Sequence, residues 1–515
     1  MSEILESYIA GRWIAGTGDG RPVHDAVTGE VVTRVSSEGI DMGEVVAHAR
    51  TKGGPALRAM TFPERAAALK AAATSVQEGK DELYALSARA GCTARDSAVD
   101  VDGGIGTAMV YASLGRKGLP EGTVVVEDDF IQLGKEGSFG GRHVLTSPHG
   151  ISLQINAFNF PVWGMLEKLA PALLAGVPTI VKPATPTAYI AAAAVRMMID
   201  SGALPEGALQ IVAGSIPGLF DELGGQDHIG FTGSAGTAAV LRRDPAVTER
   251  SAHFNAEADS LNASVLGPDA VPGEPEFDLF VKALVTEMTV KAGQKCTAIR
   301  RAIVPESQLA AVADAVRERL SGVVVGAPGA QGVRMGALVG TDQRADVQQA
   351  ARQIADAGTV VFGDLDSVDV VGADAQQGAF MSPVLVRIDD ADRPEPHEVE
   401  AFGPVSALMG FRDADHAVEL LARGEGSLAG SVVSADPDFV SAIIAGAAPW
   451  HGRILVLDRD SAAESTGHGT PMPQLVHGGP GRAGGGQEEG GLRAVYAHLQ
   501  RTAVQGSPAV LDRLG

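Results

Sequence analysis

The chain has 515 residues, 45% of them hydrophobic, with 63 Asp and Glu against 41 Lys and Arg and a net charge of −22. That acidity argues against a broad nucleic-acid surface, since phosphate binding needs clustered cations. Two cysteines cannot build a disulfide framework or a multi-thiolate metal site, so no metal is expected and a reducing cytoplasm fits best.

The length implies two to four structural units. Residues 1–14 lack a basic region followed by an apolar core, and Lys182 and Arg196 interrupt the longest apolar stretches. Neither a signal peptide nor a membrane span is expected. Residues 8–36 alternate short apolar runs with Gly and Asp-Gly turns, which predicts strands and hairpins. Thr61-Phe62-Pro63-Glu64 has capping-box spacing ahead of a helix reaching Glu78, and residues 97–116 predict a second long helix. Residues 134–141 and the strand-like His143-Val144-Leu145-Thr146 read as a hairpin whose edge needs covering by a partner subunit.

From residue 150 the pattern becomes regular. Apolar runs at 151–156, 179–182, 209–212 and 229–232 alternate with helical segments near 163–175, 187–200 and 217–224. That rhythm predicts a doubly wound parallel sheet. No G-x-G-x-x-G follows a strand, but Phe231-Thr232-Gly233-Ser234-Ala235-Gly236 offers backbone NH groups at a helix start, which suit either a pyrophosphate or a plain turn. A second α/β unit begins near residue 263, with a helix at 307–320 and β runs at 323–325 and 359–362. Eight glycines lie between Gly478 and Gly491, as a flexible loop or as backbone wrapped around a ligand.

Gly293-Gln294-Lys295-Cys296-Thr297-Ala298 places one cysteine in a small polar turn between a helical segment (277–290) and a β run (301–304). A thiol there suits a nucleophile better than a core position does, although a lone cysteine is commonly a small core residue.

Several separated motifs stand in one order, and over nearly its whole length the chain resembles the aldehyde dehydrogenase superfamily. They are Asn156-Ala157-Phe158-Asn159-Phe160-Pro161, Val181-Lys182-Pro183-Ala184, Phe231-Thr232-Gly233-Ser234, Ala256-Glu257-Ala258, Gly293-Gln294-Lys295-Cys296 and Glu400-Ala401-Phe402-Gly403-Pro404-Val405. The resemblance implies Cys296 as nucleophile, Asn159 with the Cys296 NH as oxyanion donors, and Glu257 as general base. It also implies Lys182, Thr185, Gly233, Ser234, Glu400 and Phe402 around a dinucleotide. The implied fold is α/β: a Rossmann-type cofactor domain (1–127 and 151–262), an α/β catalytic domain (263–480), and a small β oligomerisation flap with a C-terminal tail (128–150 and 481–515) that pairs in a homodimer.

The likeness is closer to semialdehyde dehydrogenases that handle CoA thioesters in bacterial aerobic aromatic degradation, in the benzoyl-CoA and phenylacetate branches. Asn255-Ala256-Glu257-Ala258-Asp259-Ser260-Leu261-Asn262, Thr466-Gly467-His468-Gly469 and the Gly-rich stretch from His477 to Gly486 carry it. The expected substrate is a CoA-thioester semialdehyde, with His468, His477 and Arg482 as candidates for its mouth. Alternatively, the Gly-rich stretch closes the cofactor site or packs on the flap.

Three departures matter. Thr185 stands where NAD-preferring members carry a glutamate, which favours NADP, with NAD as the alternative. Ala238 replaces a usual glycine, and a Gly-rich stretch replaces the aromatic and proline-led segment near the chain end. The rival classes are a CoA-acylating aldehyde dehydrogenase, which generally lacks the base retained at Glu257, and an idle binding protein of the same fold, which would lose Cys296, Asn159 or Glu257.

Overall fold

The computed structural model describes residues 3–127, 129–486 and 490–514, and two seven-stranded sheets organise them. The first runs His253–Glu257, His228–Thr232, Ser152–Ile155, Thr179–Lys182, Leu209–Ile211, Glu6–Ile9, Arg12–Ala15, with the first five parallel and the last two added as an antiparallel hairpin. Strand order reverses at Ser152–Ile155, whose successors fall on one side and then on the other. A cleft opens at such a switch point, beyond the carboxyl ends of the strands.

The second sheet runs Thr359–Phe362, Val384–Ile388, Val405–Phe411, Arg301–Pro305, Ala263–Leu266, Ser427–Val433, His451–Leu457, parallel except for its first member. The segment before Arg301–Pro305, carrying Cys296, therefore faces the first lobe.

Helices cover both sheets. Thr61 closes a full capping box with Glu64 on the helix Phe62–Glu78, and Thr93 does the same with Asp96 on Ala94–Lys117. The second of these helices packs tightly against Trp163–Leu174, because a Cβ at Gly103 would stand 2.4 Å from the Trp163 ring and one at Gly104 2.8 Å from its Cα. Asp100, on the same helix, accepts the Trp163 NH at 2.8 Å and the Val162 NH at 3.3 Å, capping the start of Trp163–Leu174.

Three local expectations change. Only the short 3-10 turn Leu219–Glu222 forms within 217–224, opened by a left-handed Gly218. At 323–325 there is an isolated bridge from Val325 to Met335 rather than a strand. The Gly-rich stretch wraps protein backbone: a Cβ at Gly479 would lie 2.5 Å from the Ser427 carbonyl of the second sheet, and one at Gly484 2.0 Å from the Ala256 carbonyl of the first. It is a tight fastening between the lobes, and the Ala258 NH donates to the Ala483 carbonyl at 3.0 Å.

A separate four-stranded sheet contains Gln500–Gly506, Gly140–Thr146, Val125–Val126 and Ile131–Gln132. Not all of 481–515 belongs to it: the helix Leu492–Ala497 buries Ala494 and Val495 in the core of the first lobe.

Candidate active site

The nucleophile turn is held in an unfavourable conformation. Lys291 (φ 54°), Ala292 (φ 50°) and Gly293 (φ 68°) are consecutive left-handed residues, which costs about 1–2 kcal/mol for each non-glycine. Several bonds fix them. The Lys291 NH donates to Asp96 at 2.7 Å, Arg300 donates to the carbonyls of Gly293 (2.9 Å), Lys295 (3.2 Å) and Gly403 (2.7 Å), and the Asn262 amide donates to those of Cys296 (2.8 Å) and Ala298 (3.0 Å). Lys295 makes a buried two-oxygen ion pair with Glu287 at 2.7 and 2.8 Å. The turn thus presents Cys296 half-buried at the junction of two cavities.

One cavity, of about 40 Å³, is lined by Asn159, Trp163, Glu167, Lys168, Glu257, Cys296 and His477. The other, a cleft of about 740 Å³, lies at the switch point and includes Lys182, Phe231, Gly233, Ser234, Glu400, Phe402 and Arg482. Asn159, Thr232, Glu257 and Cys296 line both. A molecule in the cleft and one in the small cavity would meet at the thiol.

Glu257, Cys296 and His477 offer donor atoms all within 4.8 Å of one another. His477 stands between two carboxylates, with Nε2 3.6 Å from Glu257 and Nδ1 3.4 Å from Glu167, and Lys168 lies 3.6 Å from Glu167. Burial works against charge on His477, but Glu257 and Glu167 outweigh it and raise its pKa well above the usual histidine value. Burial likewise opposes ionisation of Glu257, yet His477 and then Lys168 hold it down to about 2. Burial and then the Glu257 charge push the Cys296 thiol up to about 12. The resting site is therefore thiol, carboxylate and imidazolium. With His477 set between the carboxylates of Glu257 and Glu167, the cluster can hold and pass a proton.

In the cleft, Lys182 and Ala184 line the wall, and half-buried Thr185 follows in the 3-10 turn Thr185–Thr187. Ser234 caps Ala235–Arg242 by accepting the Thr237 NH at 3.3 Å. The Ala235 NH is bonded to Asp259 at 2.9 Å, so a phosphate there would have to replace that carboxylate. One Glu400 oxygen accepts the Ser260 NH at 3.2 Å while the other, buried, stands 3.7 Å from Arg300 Nε with no hydrogen bond among the described residues, which leaves it able to accept from a ribose hydroxyl. Phe402 packs edge-on against Phe158 at 5.8 Å. A cleft of this size with a cation, an aromatic wall and a carboxylate on its edge suits a dinucleotide.

The three residues expected at the mouth separate. His477 lies beside the thiol. His468 is buried, with Nδ1 2.8 Å from the Ser431 hydroxyl, because Arg453 anchors the carbonyls of His468 and Thr470 inward at 3.0 and 2.8 Å. Arg482 belongs to the cleft wall, donating to the carbonyls of His397 and Glu398. A second cavity, of about 10 Å³, shares Trp163, Glu167, Pro471 and His477 with that of the thiol and is also lined by Tyr111, Met472 and Leu475. Sequence reasoning missed Tyr111, Trp163, Pro471, Met472 and Leu475, and with them Glu167 and Lys168, although two adjacent charges in the otherwise apolar Trp163–Leu174 were a signal.

The aldehyde dehydrogenase family pattern matches residues 13–452. The chain is 47% identical over 479 residues to the 3,4-dehydroadipyl-CoA semialdehyde dehydrogenase of Aromatoleum evansii, covering 92% of this chain and 93% of that one. It is 26% identical to a non-phosphorylating aspartate-semialdehyde dehydrogenase of Halomonas elongata, covering 93% and 92%. A betaine aldehyde dehydrogenase of Staphylococcus aureus, solved with NAD+, superposes with a TM-score of 0.83 at 22% identity over 97% of this chain and 94% of that one, and so shares the fold. The family match and the near-full-length relative together establish that the chain is an NAD(P)-dependent oxidoreductase acting on aldehydes and belongs to the aldehyde dehydrogenase family.

Proposed function

We propose that the protein oxidises the aldehyde end of a CoA-thioester semialdehyde, of the 3,4-dehydroadipyl-CoA semialdehyde type, to the carboxylic acid, with NADP as acceptor, as a homodimer in a reducing cytoplasm. The observation carrying this reading is the meeting of two cavities at Cys296 and Glu257. In the small cavity Cys296 loses its proton to the Glu257, His477 and Glu167 group and bonds to the aldehyde carbon, giving a thiohemiacetal. The oxygen's developing charge is met by the Asn159 amide and the Cys296 NH. The dinucleotide, held by Lys182, Thr185, Gly233, Ser234, Glu400 and Phe402, supplies a hydride acceptor. Glu257 then takes a proton from the water that attacks the thioester left on Cys296.

Cys296→Ala is expected to abolish aldehyde oxidation while dinucleotide binding persists, and turnover by that variant would sink the reading. With Glu257→Gln, a burst of about one reduced dinucleotide per site should precede a stall. Steady turnover without this carboxylate, or product formed only when free CoA is added, would overturn its role as base.

The substrate class rests on the relative from Aromatoleum evansii and on the small cavity beside that of the thiol, which borders the exposed Met472 and Leu475, the side on which a pantetheine arm would lie. A nucleotide handle resting outside can orient the aldehyde. A CoA-linked semialdehyde should therefore show a higher kcat/KM than the free semialdehyde acid of equal length, and equality would refute the CoA assignment alone.

A further inference from the structure

Three segments far apart in sequence converge on one side of the thiol cavity. The strand His253–Glu257 brings a buried carboxylate, the nucleophile turn a thiol and the Gly-rich stretch an imidazole, with donor atoms all within 4.8 Å of one another. Two cysteines exclude a multi-thiolate site but not a mixed one, which only the fold assembles.

The separations suit a small cation. Around a tetrahedral ion at zinc bond lengths of about 2.0–2.3 Å, neighbouring donors stand roughly 3.3–3.8 Å apart. Nε2 of His477 and the Glu257 carboxylate are already 3.6 Å apart. A closure of at most about 1 Å brings every pair into that range. The His477 side chain is 10% exposed, and neither ring nitrogen has a hydrogen-bond partner among the described residues. Its Nδ1 faces Glu167 at 3.4 Å. A carboxylate behind the non-ligating nitrogen is the arrangement that orients a metal-bound histidine and fixes the tautomer whose Nε2 can ligate. One thiolate, one imidazole and one carboxylate form a borderline-soft donor set, which favours zinc over magnesium or calcium, ions that take oxygen donors.

We propose that Glu257, Cys296 and His477 form an inhibitory zinc site, with Glu167 orienting His477 and the fourth position open to the cavity. The site stands on its own geometry, whereas its effect on turnover rests on the roles of Cys296 and Glu257 given above. Zinc bonds to the sulfur, to Nε2 and to a Glu257 oxygen as the thiol proton of Cys296 and one proton of the His477 imidazolium leave to solvent. A dication enters while two protons depart, so the buried group keeps its net charge. No electron moves, and a chelator reverses the step. Sulfur bonded to zinc cannot attack an aldehyde, and a ligating Glu257 cannot take a proton from water. Lys182, Glu400 and Phe402 of the dinucleotide cleft lie outside the site, so zinc competes with the aldehyde and not with the dinucleotide.

The test uses the full-length enzyme, stripped of metal by a chelator and kept reduced by a phosphine. One equivalent of cobalt(II), standing in for zinc, should give a sulfur-to-cobalt charge-transfer band in the near ultraviolet, which added zinc removes. The band should persist in Cys92→Ser and vanish in Cys296→Ser. By calorimetry, His477→Gln and Glu167→Gln should each weaken zinc binding, the second by about 10- to 100-fold, as loss of an orienting partner does elsewhere. In the parent, zinc should inhibit aldehyde oxidation competitively with the aldehyde, and EDTA should restore the rate. No band in the parent, a band that survives Cys296→Ser, or unchanged zinc affinity in a folded His477→Gln variant would overturn the site, as would inhibition only at a large excess of zinc. A band with the expected dependence on Cys296 and His477, but turnover unimpaired by bound zinc, would keep the site and strike the reading of Cys296 as nucleophile.

Discussion

Glu400 shows how one residue's setting decides a measurable property. Burial, opposed by Arg300, raises its carboxyl pKa to about 7. Because the folded pKa lies above the unfolded one, the protonated form is favoured by folding. That contribution is fully present below the unfolded value of 4.5 and is lost as pH rises towards 7. A ribose hydroxyl donates to the ionised carboxylate, so dinucleotide affinity should rise with pH up to about 7 and then level, by at most about tenfold per unit. Calorimetric titration across that range should show the slope, and Glu400→Gln should flatten it; a parallel slope in the variant would remove Glu400 from the site. The proposed place of Thr185 beside the dinucleotide gives a second prediction. A carboxylate there would repel a 2′-phosphate, so Thr185→Glu should shift the kcat/KM ratio from NADP towards NAD by about ten- to a hundredfold, equivalent to roughly 1.5–3 kcal/mol. A parent enzyme that uses both cofactors equally would show the reading of this position to be mistaken.

At the scale of elements, the nucleophile turn works because its neighbours over-determine it. Gly293 has a φ of 68°, and a Cβ on it would stand 2.2 Å from the Gly403 carbonyl. Gly293→Ala should therefore cost at least about 1–2 kcal/mol from its backbone conformation alone and displace Cys296, lowering both melting temperature and kcat; a fully active variant of parental stability would show that the turn tolerates relaxation. The same scale explains what could be read from sequence. The strands and helices from 150 to 212 were legible because apolar periodicity and end residues agree there, as was the capping box at Thr61, whereas the one at Thr93 was not read. The 217–224 segment was not, because Gly218 and the next few residues settle into a single 3-10 turn that pattern reasoning cannot tell from a helix. Cys296, Glu257 and Asn159 stood out as motifs. The place of His477 did not, since it depends on the glycine stretch threading between two sheets, a contact between residues more than 200 positions apart.

The whole molecule leaves one surface unresolved by its own packing. In the flap sheet, Gly140–Thr146 pairs along seven residues with Gln500–Gly506, whose side chains are mostly exposed. Ile131, Leu133 and Phe139 on the same flap are 45%, 54% and 45% exposed, three large apolar side chains on a few short strands. Gln500–Gly506 stands at the edge of this sheet, on a flap that also carries an apolar patch, a combination that proteins ordinarily cover. A second copy of this flap would satisfy both at once through a symmetric contact. Light scattering on the eluting protein at micromolar concentration should then give twice the chain mass. Leu133→Glu with Phe139→Glu, which touches neither cavity, should shift the mass to that of one chain, because two carboxylates cannot be buried unpaired. A parent that elutes as a single chain would mean that the flap is covered by something other than its own copy.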